Sequence, residues 1–135
     1  MVYAVIDTNI FVSAFITKNA TASTRRVINS LFAGKIKPLY NDEIIEEYSE
    51  VLLRSKFHLA DKDIQRLLYF IQINGIDSSR FPYDGDMPDE DDRVFYEVAL
   101  SEEDSFLVTG NLKHFPKTPK VVTASQMMEI LDYGE

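Results

Sequence analysis

A chain of 135 residues with no cysteine has room for one compact domain with a real core, and it excludes disulfides, thiolate zinc sites and cysteine nucleophiles. Its 45% hydrophobic and 27% charged content is that of a soluble globular protein, and a formal net charge of −8 argues against indiscriminate binding to nucleic acid. The apolar N-terminal stretch has no basic residues before it, carries Asp7 in its middle and is too short to span a bilayer, so the expectation is a cytoplasmic protein with no membrane contact.

In chain order, Val2-Tyr3-Ala4-Val5-Ile6 reads as a buried strand ending at Asp7, and Thr8-Asn9 begin a short helix. Residues 21–33 form a second helix, with Val27, Ile28, Leu31 and Phe32 on one stripe and Gly34 as its stop. Lys37-Pro38-Leu39-Tyr40 is a short strand, and Asn41 caps a third helix whose first turn holds Asp42 and Glu43. A helix over 61–73 follows, then a loop-rich stretch over 74–90 in which Ile76 and Phe81 mark a short strand or its edge. A helix from about Asp91 to Ser101, a strand over 105–109 closed by Gly110, a short strand at Val121-Val122 and a helix from Ser125 complete the chain. Strands alternating with helical periodicity specify an α/β domain with a parallel sheet.

Charge is unevenly spread. Residues 1–40 carry five basic residues (Lys18, Arg25, Arg26, Lys35 and Lys37) against one acidic. Residues 41–104 carry six against eighteen, and 105–135 carry three of each. The first group is either a surface for a polyanion or a set of solvated charges.

Three acids stand out. Asp7 ends a central strand, where open α/β sheets place their ligands. Its other reading is a turn or helix cap, a task that Thr8 and Asn9 can also perform. Glu47 lies at the rim of the apolar arc made by Ile44, Ile45, Tyr48, Val51 and Leu52, where a partly desolvated carboxylate needs a partner. That partner is either an ion-paired Arg or Lys, or a metal. Within Asp89-Glu90-Asp91-Asp92, at least two residues serve the helix dipole. Asp92 falls beside Phe95 and Ala99 at the apolar rim and is the favoured ligand, with Asp91 in reserve. Asn111 closes the strand 105–109 in the same manner and is able to meet Asp7 across the sheet edge, or to serve only the turn. His58 and His114 lack the paired spacing of zinc ligands, though His114 lies just past Asn111. Like charges at close range need a cation to coexist, and a divalent metal is the ordinary solution.

The segments VIDTNIFVSAFI, NDEIIEEYSEVL, DEDDRVFYEVAL and DSFLVTGNLKHF resemble, in order and over nearly the whole chain, the four motif regions of PIN-domain ribonucleases. The likeness is greatest to those that act as toxins of bacterial toxin–antitoxin pairs. The resemblance implies a single domain over 1–135, built as a three-layer α/β/α sandwich around a mostly parallel sheet. It implies Mg²⁺- or Mn²⁺-dependent endonuclease action on single-stranded RNA, with 5′-phosphate and 3′-hydroxyl products. Asp7, Glu47 and Asp92 match the family's acidic metal ligands, and Asn9 matches the polar residue supporting the first acid. A cognate antitoxin and a homodimer are the implied partners. The departure is at the fourth acidic position, whose places hold Asn111 and His114. Three carboxylates suffice for one Mg²⁺ with its waters, so the expectation is a weak site. Two other readings stand beside it. An aspartyl-nucleophile phosphatase would need an acid where Asn9 stands, and a non-catalytic PIN-like module that binds RNA or protein would tolerate the missing acid.

Overall fold

The apolar run Val2–Ile6, β1, is covered on both faces, with Ala4, Val5 and Ile6 at 1% exposure or less, as a central strand of a parallel sheet requires. The computed structural model describes residues 1–134. Helices α1 (Thr8–Ile16) and α2 (Ser23–Phe32) lead to β2 (Ile36–Tyr40), and α3 (Asp42–Leu52) and α4 (Asp61–Asn74) lead to β3 (Ile76–Asp77). Helix α5 (Arg93–Leu100) precedes β4 (Ser105–Val108), and β5 (Val121–Val122) is followed by α6 (Ala124–Gly134). Short 3₁₀ turns occupy Ser55–Phe57, Glu90–Asp92 and Leu112–His114. All strand pairs are parallel, in the order β3-β2-β1-β4-β5, with helices flanking the sheet. The fold is the α/β arrangement that the alternation of strands and helices predicts, and the sheet is wholly rather than mostly parallel.

This order makes β1 and β4 neighbours although a long stretch of chain separates them. From β1 the chain moves outward through β2 and β3, then returns to the other side for β4 and β5. The reversal leaves a crevice at the carboxyl ends of β1 and β4, the place where open α/β sheets bind ligands. Ile6 pairs with Val108, and the Asp7 N–H donates to the Val108 carbonyl at 2.9 Å, which sets Asp7 beside Thr109.

Local chemistry explains most boundaries. The Asn41 side chain accepts from the Ile44 N–H at 2.9 Å and starts α3, with Asp42 and Glu43 in its first turn. Gly34 ends α2 with φ of +81°, a conformation that L side chains resist. At Gly75 a Cβ would lie 2.5 Å from the carbonyl oxygens of Ile71 and Pro38, so β3 approaches β2 through a residue without a side chain.

Two expectations need correction. Phe81 belongs to no strand: it is 59% exposed, and its N–H donates to the Glu97 carbonyl. The helix expected from Asp91 begins at Arg93, because the Asp89 side chain caps a separate 3₁₀ turn by accepting from the Asp91 N–H. The loop before it is tied down by Glu97, a 7%-exposed acid on α5. Glu97 accepts from Arg80 Nε at 2.7 Å and from the Tyr83 N–H at 2.8 Å, and Arg80 also reaches Glu43 on α3. Among the described residues no helix is long and apolar enough to cross a membrane.

Candidate functional site

Asp7 lies at the carboxyl end of β1 and is 6% exposed. It occupies the residue before α1, but its side chain forms no cap hydrogen bond, which leaves it available for other chemistry. Instead Oδ2 accepts from Thr109 Oγ1 at 2.8 Å, across the β1–β4 seam. Burial raises the Asp7 carboxyl pKa above its ordinary value. The Thr109 hydroxyl, the nearby amides of Thr8 and Asn9, and His114 oppose that rise.

Helix α3 brings Glu47 to the same end of the sheet. Its Oε2 accepts from Thr8 Oγ1 at 2.6 Å, so the residue after Asp7 holds the second acid. One residue along, the wholly buried Tyr48 hydroxyl donates to the Ile6 carbonyl at 2.5 Å. Its ring packs edge-on against Phe11 with centroids 5.1 Å apart. Burial raises the Glu47 pKa; the Thr8 bond resists this, while Asp7 and Asp91 add to it. Among the described residues Glu47 makes no ion pair, so the salt-bridge reading of this residue does not hold.

Asp92 enters from the residue before α5, with its side chain 15% exposed. Burial pushes its pKa up to about 7, and the charges of Asp7, Asp89 and Glu47 add to the effect. Its neighbour His114, whose Nδ1 lies 3.5 Å from Asp92 Oδ2, opposes the rise. Asp91 is exposed beside Glu47 on an open groove of about 350 Å³ lined by Glu43, Glu46, Glu47, Glu50, Glu90 and Asp91. Arg80 lines it too, already paired to Glu43 and Glu97.

The fold therefore places Asp7, Glu47 and Asp92 within electrostatic reach of one another, with His114 beside Asp92 and in reach of Asp7. Asn111 is not among them: it is exposed, and its Oδ1 accepts from the Lys113 N–H at 3.2 Å, which starts the 3₁₀ turn Leu112–His114. The turn reading of Asn111 is the observed one, and Thr109 makes the contact with Asp7 that was expected of it. Asn9 is exposed, and its influence on Asp7 comes from its backbone amide. Thr8 and Thr109 are the site residues that sequence reasoning missed. Both were visible as hydroxyl residues flanking the strand ends, yet nothing in their spacing tells which carboxylate each meets.

Among the described residues no three acids or histidines are gathered closely enough to enclose a metal ion as they stand. The donor chemistry nonetheless fits a hard divalent cation. Burial raises the pKa of all three carboxyls, Asp7 adds to the rise at Glu47 and Asp92, and no Lys or Arg neutralises Asp7, Glu47 or Asp92.

A family model described as the PIN domain matches residues 3–113, a span that holds Asp7, Glu47 and Asp92 and ends one residue before His114. No curated protein and no solved structure matches the chain.

Proposed function

Because the chain belongs to the PIN-domain family, whose members are typically metal-dependent nucleases, we propose that it is a Mg²⁺- or Mn²⁺-dependent endoribonuclease acting on single-stranded RNA. The observation that carries this reading is the set of partly or wholly buried carboxylates Asp7, Glu47 and Asp92 at the β1–β4 crevice. Asp7 and Glu47 are held by hydroxyls, Asp92 faces His114, and no Lys or Arg pairs with any of the three. An arrangement that raises the pKa of each acid destabilises the protein alone and is relieved by a cation, which is the signature of a functional site.

In this reading the chain's own groups divide the work. Thr109 fixes Asp7 through Oδ2, and Asp7 would be the central ligand. Thr8 fixes Glu47 in the same way, and Tyr48 locks α3 to the end of β1. Asp92 supplies the third carboxylate, and His114 stands beside it. When bound, the metal supplies Lewis acidity, lowering the pKa of water and neutralising charge on the phosphoryl oxygens.

The role within a cell is that of the toxin in a toxin–antitoxin pair: a cytoplasmic homodimer restrained by a small cognate antitoxin. Its support is the resemblance of the four motif segments. Expression of the wild-type protein should arrest growth, and Asp7→Asn should not; arrest by both would remove the nuclease from the explanation. A second reading, a non-catalytic PIN module with a degenerate metal site, is favoured by one observation. The place of a fourth acid is held by Asn111, which is exposed and engaged in a turn. Metal binding without cleavage across varied RNAs would support that reading over the first.

A further inference from the structure

The two sides of the crevice carry opposite charge. On the α3 side lies the acidic groove of Glu43, Glu46, Glu47, Glu50, Glu90 and Asp91, whose one cation is already paired. On the other side the turn Leu112–His114 and the residues after it carry Lys113 and Lys117, both exposed and in no ion pair among the described residues. A polyanion reaching Asp7 is repelled along the first path and attracted along the second.

The second side also holds a groove of about 480 Å³, lined by Leu112, Lys117, Pro119, Val121, Val122 and Gln126. Its walls are mostly apolar, with Lys117, Thr118 and Gln126 as the polar members. Leu112 is 42% exposed and sits two residues before His114, the residue that meets Asp92. One short turn thus borders both the carboxylates and the groove. Proteins hold single strands by pairing cations that track the phosphates with surfaces against which bases lie, aromatic ones above all; here the cations are present and the walls are aliphatic.

We propose that this groove is a base-binding subsite: the RNA strand crosses the site along the β4–β5 connection, and a nucleobase next to the cut phosphate lies against Leu112, Pro119 and Val122. Lys117 contacts the backbone at the rim. The subsite rests on the ribonuclease reading, which it deepens by giving the substrate a direction of approach.

The test is binding and cleavage of a fluorescein-labelled mixed-sequence single-stranded RNA by wild type, Leu112→Ala and Lys117→Glu, with photocrosslinking of the same RNA carrying 4-thiouridine. Lys117→Glu should weaken binding about tenfold and flatten the salt dependence of log Kd by roughly 0.7 per lost phosphate contact. Leu112→Ala should raise Kd and KM with the salt slope unchanged, and crosslinks should fall within residues 112–126. Unchanged Mn²⁺ affinity and Tm in both variants would show that the fold and the carboxylates are intact. Wild-type affinity and KM in both variants, or crosslinks on α3, would overturn the subsite while leaving the nuclease in place. Crosslinks absent because the wild type neither binds nor cuts RNA would overturn both. A peptide segment of a partner protein competing for the groove, with RNA binding unaffected, would assign it to that partner and overturn the subsite as well.

Discussion

At the scale of single residues, the structure joins function to instability. Asp92 has its carboxyl pushed up to about 7 from an ordinary 3.8, chiefly by burial and then by Asp7. Between those values the folded protein retains a proton that the unfolded chain has released. The contribution of Asp92 to stability is therefore fully present below about pH 4 and is lost as pH rises through about 7. Metal-free Asp92→Asn should then be more stable than wild type at pH 8, by on the order of 1 kcal/mol or a few degrees in Tm. The gap should close near pH 4, and thermal melts across that range check it; a gap independent of pH would contradict it. Thr109 acts in the opposite sense. It is fully buried and donates to Asp7, so Thr109→Val keeps the shape and removes the donor. Loss of such a supporting bond should weaken Mn²⁺ binding by roughly 10–100-fold, read by calorimetry, with a cost of about 1–2 kcal/mol in stability.

At the scale of elements, α3 matters most, because it is fastened to β1 on both sides of Asp7. Tyr48 bonds the carbonyl of Ile6, and Glu47 takes the hydroxyl of Thr8. Tyr48→Phe should cost about 1 kcal/mol, seen as a lower urea midpoint, and should weaken Mn²⁺ binding although Tyr48 does not face the crevice. Unaltered metal affinity in a destabilised Tyr48→Phe protein would show that α3 positions nothing. Much of this was legible in the sequence. The cap Asn41, the stop at Gly34 and the apolar stripe that put Glu47 at its rim all act locally, and local chemistry can be read from neighbours. The partners of Glu47 and Asp7 were not legible, since each hydroxyl–carboxylate bond depends on how distant segments meet. Thr109 and Asp7 are 102 residues apart, and Asn111 was the plausible choice until the turn claimed its side chain. Glu97 escaped notice for a related reason. It sits in the apolar stretch Val94–Leu100, and its partner Arg80 comes from a loop whose path has no periodic signal.

At the scale of the whole molecule, the sheet order β3-β2-β1-β4-β5 brings a charge-balanced C-terminal part of the chain and a strongly acidic middle to one crevice. The alternation of strands and helices made the parallel sheet readable, and Asp7 at the end of a central strand made the crevice readable. The opposite charge of its two sides was legible only in part, because Lys113 stands beside His114 in the motif segment DSFLVTGNLKHF, whereas Lys117 follows it in a segment of balanced charge. The central claim is that Asp7, Glu47 and Asp92 form one metal-dependent ribonuclease site. It is tested most directly by calorimetric titration of Mn²⁺ into wild type and Asp7→Asn, with RNA cleavage measured on the same samples. The account predicts that the wild type binds the ion and cuts RNA, and that Asp7→Asn, folded with an equal or higher Tm, does neither. Equal binding and equal cleavage by the two proteins would contradict it.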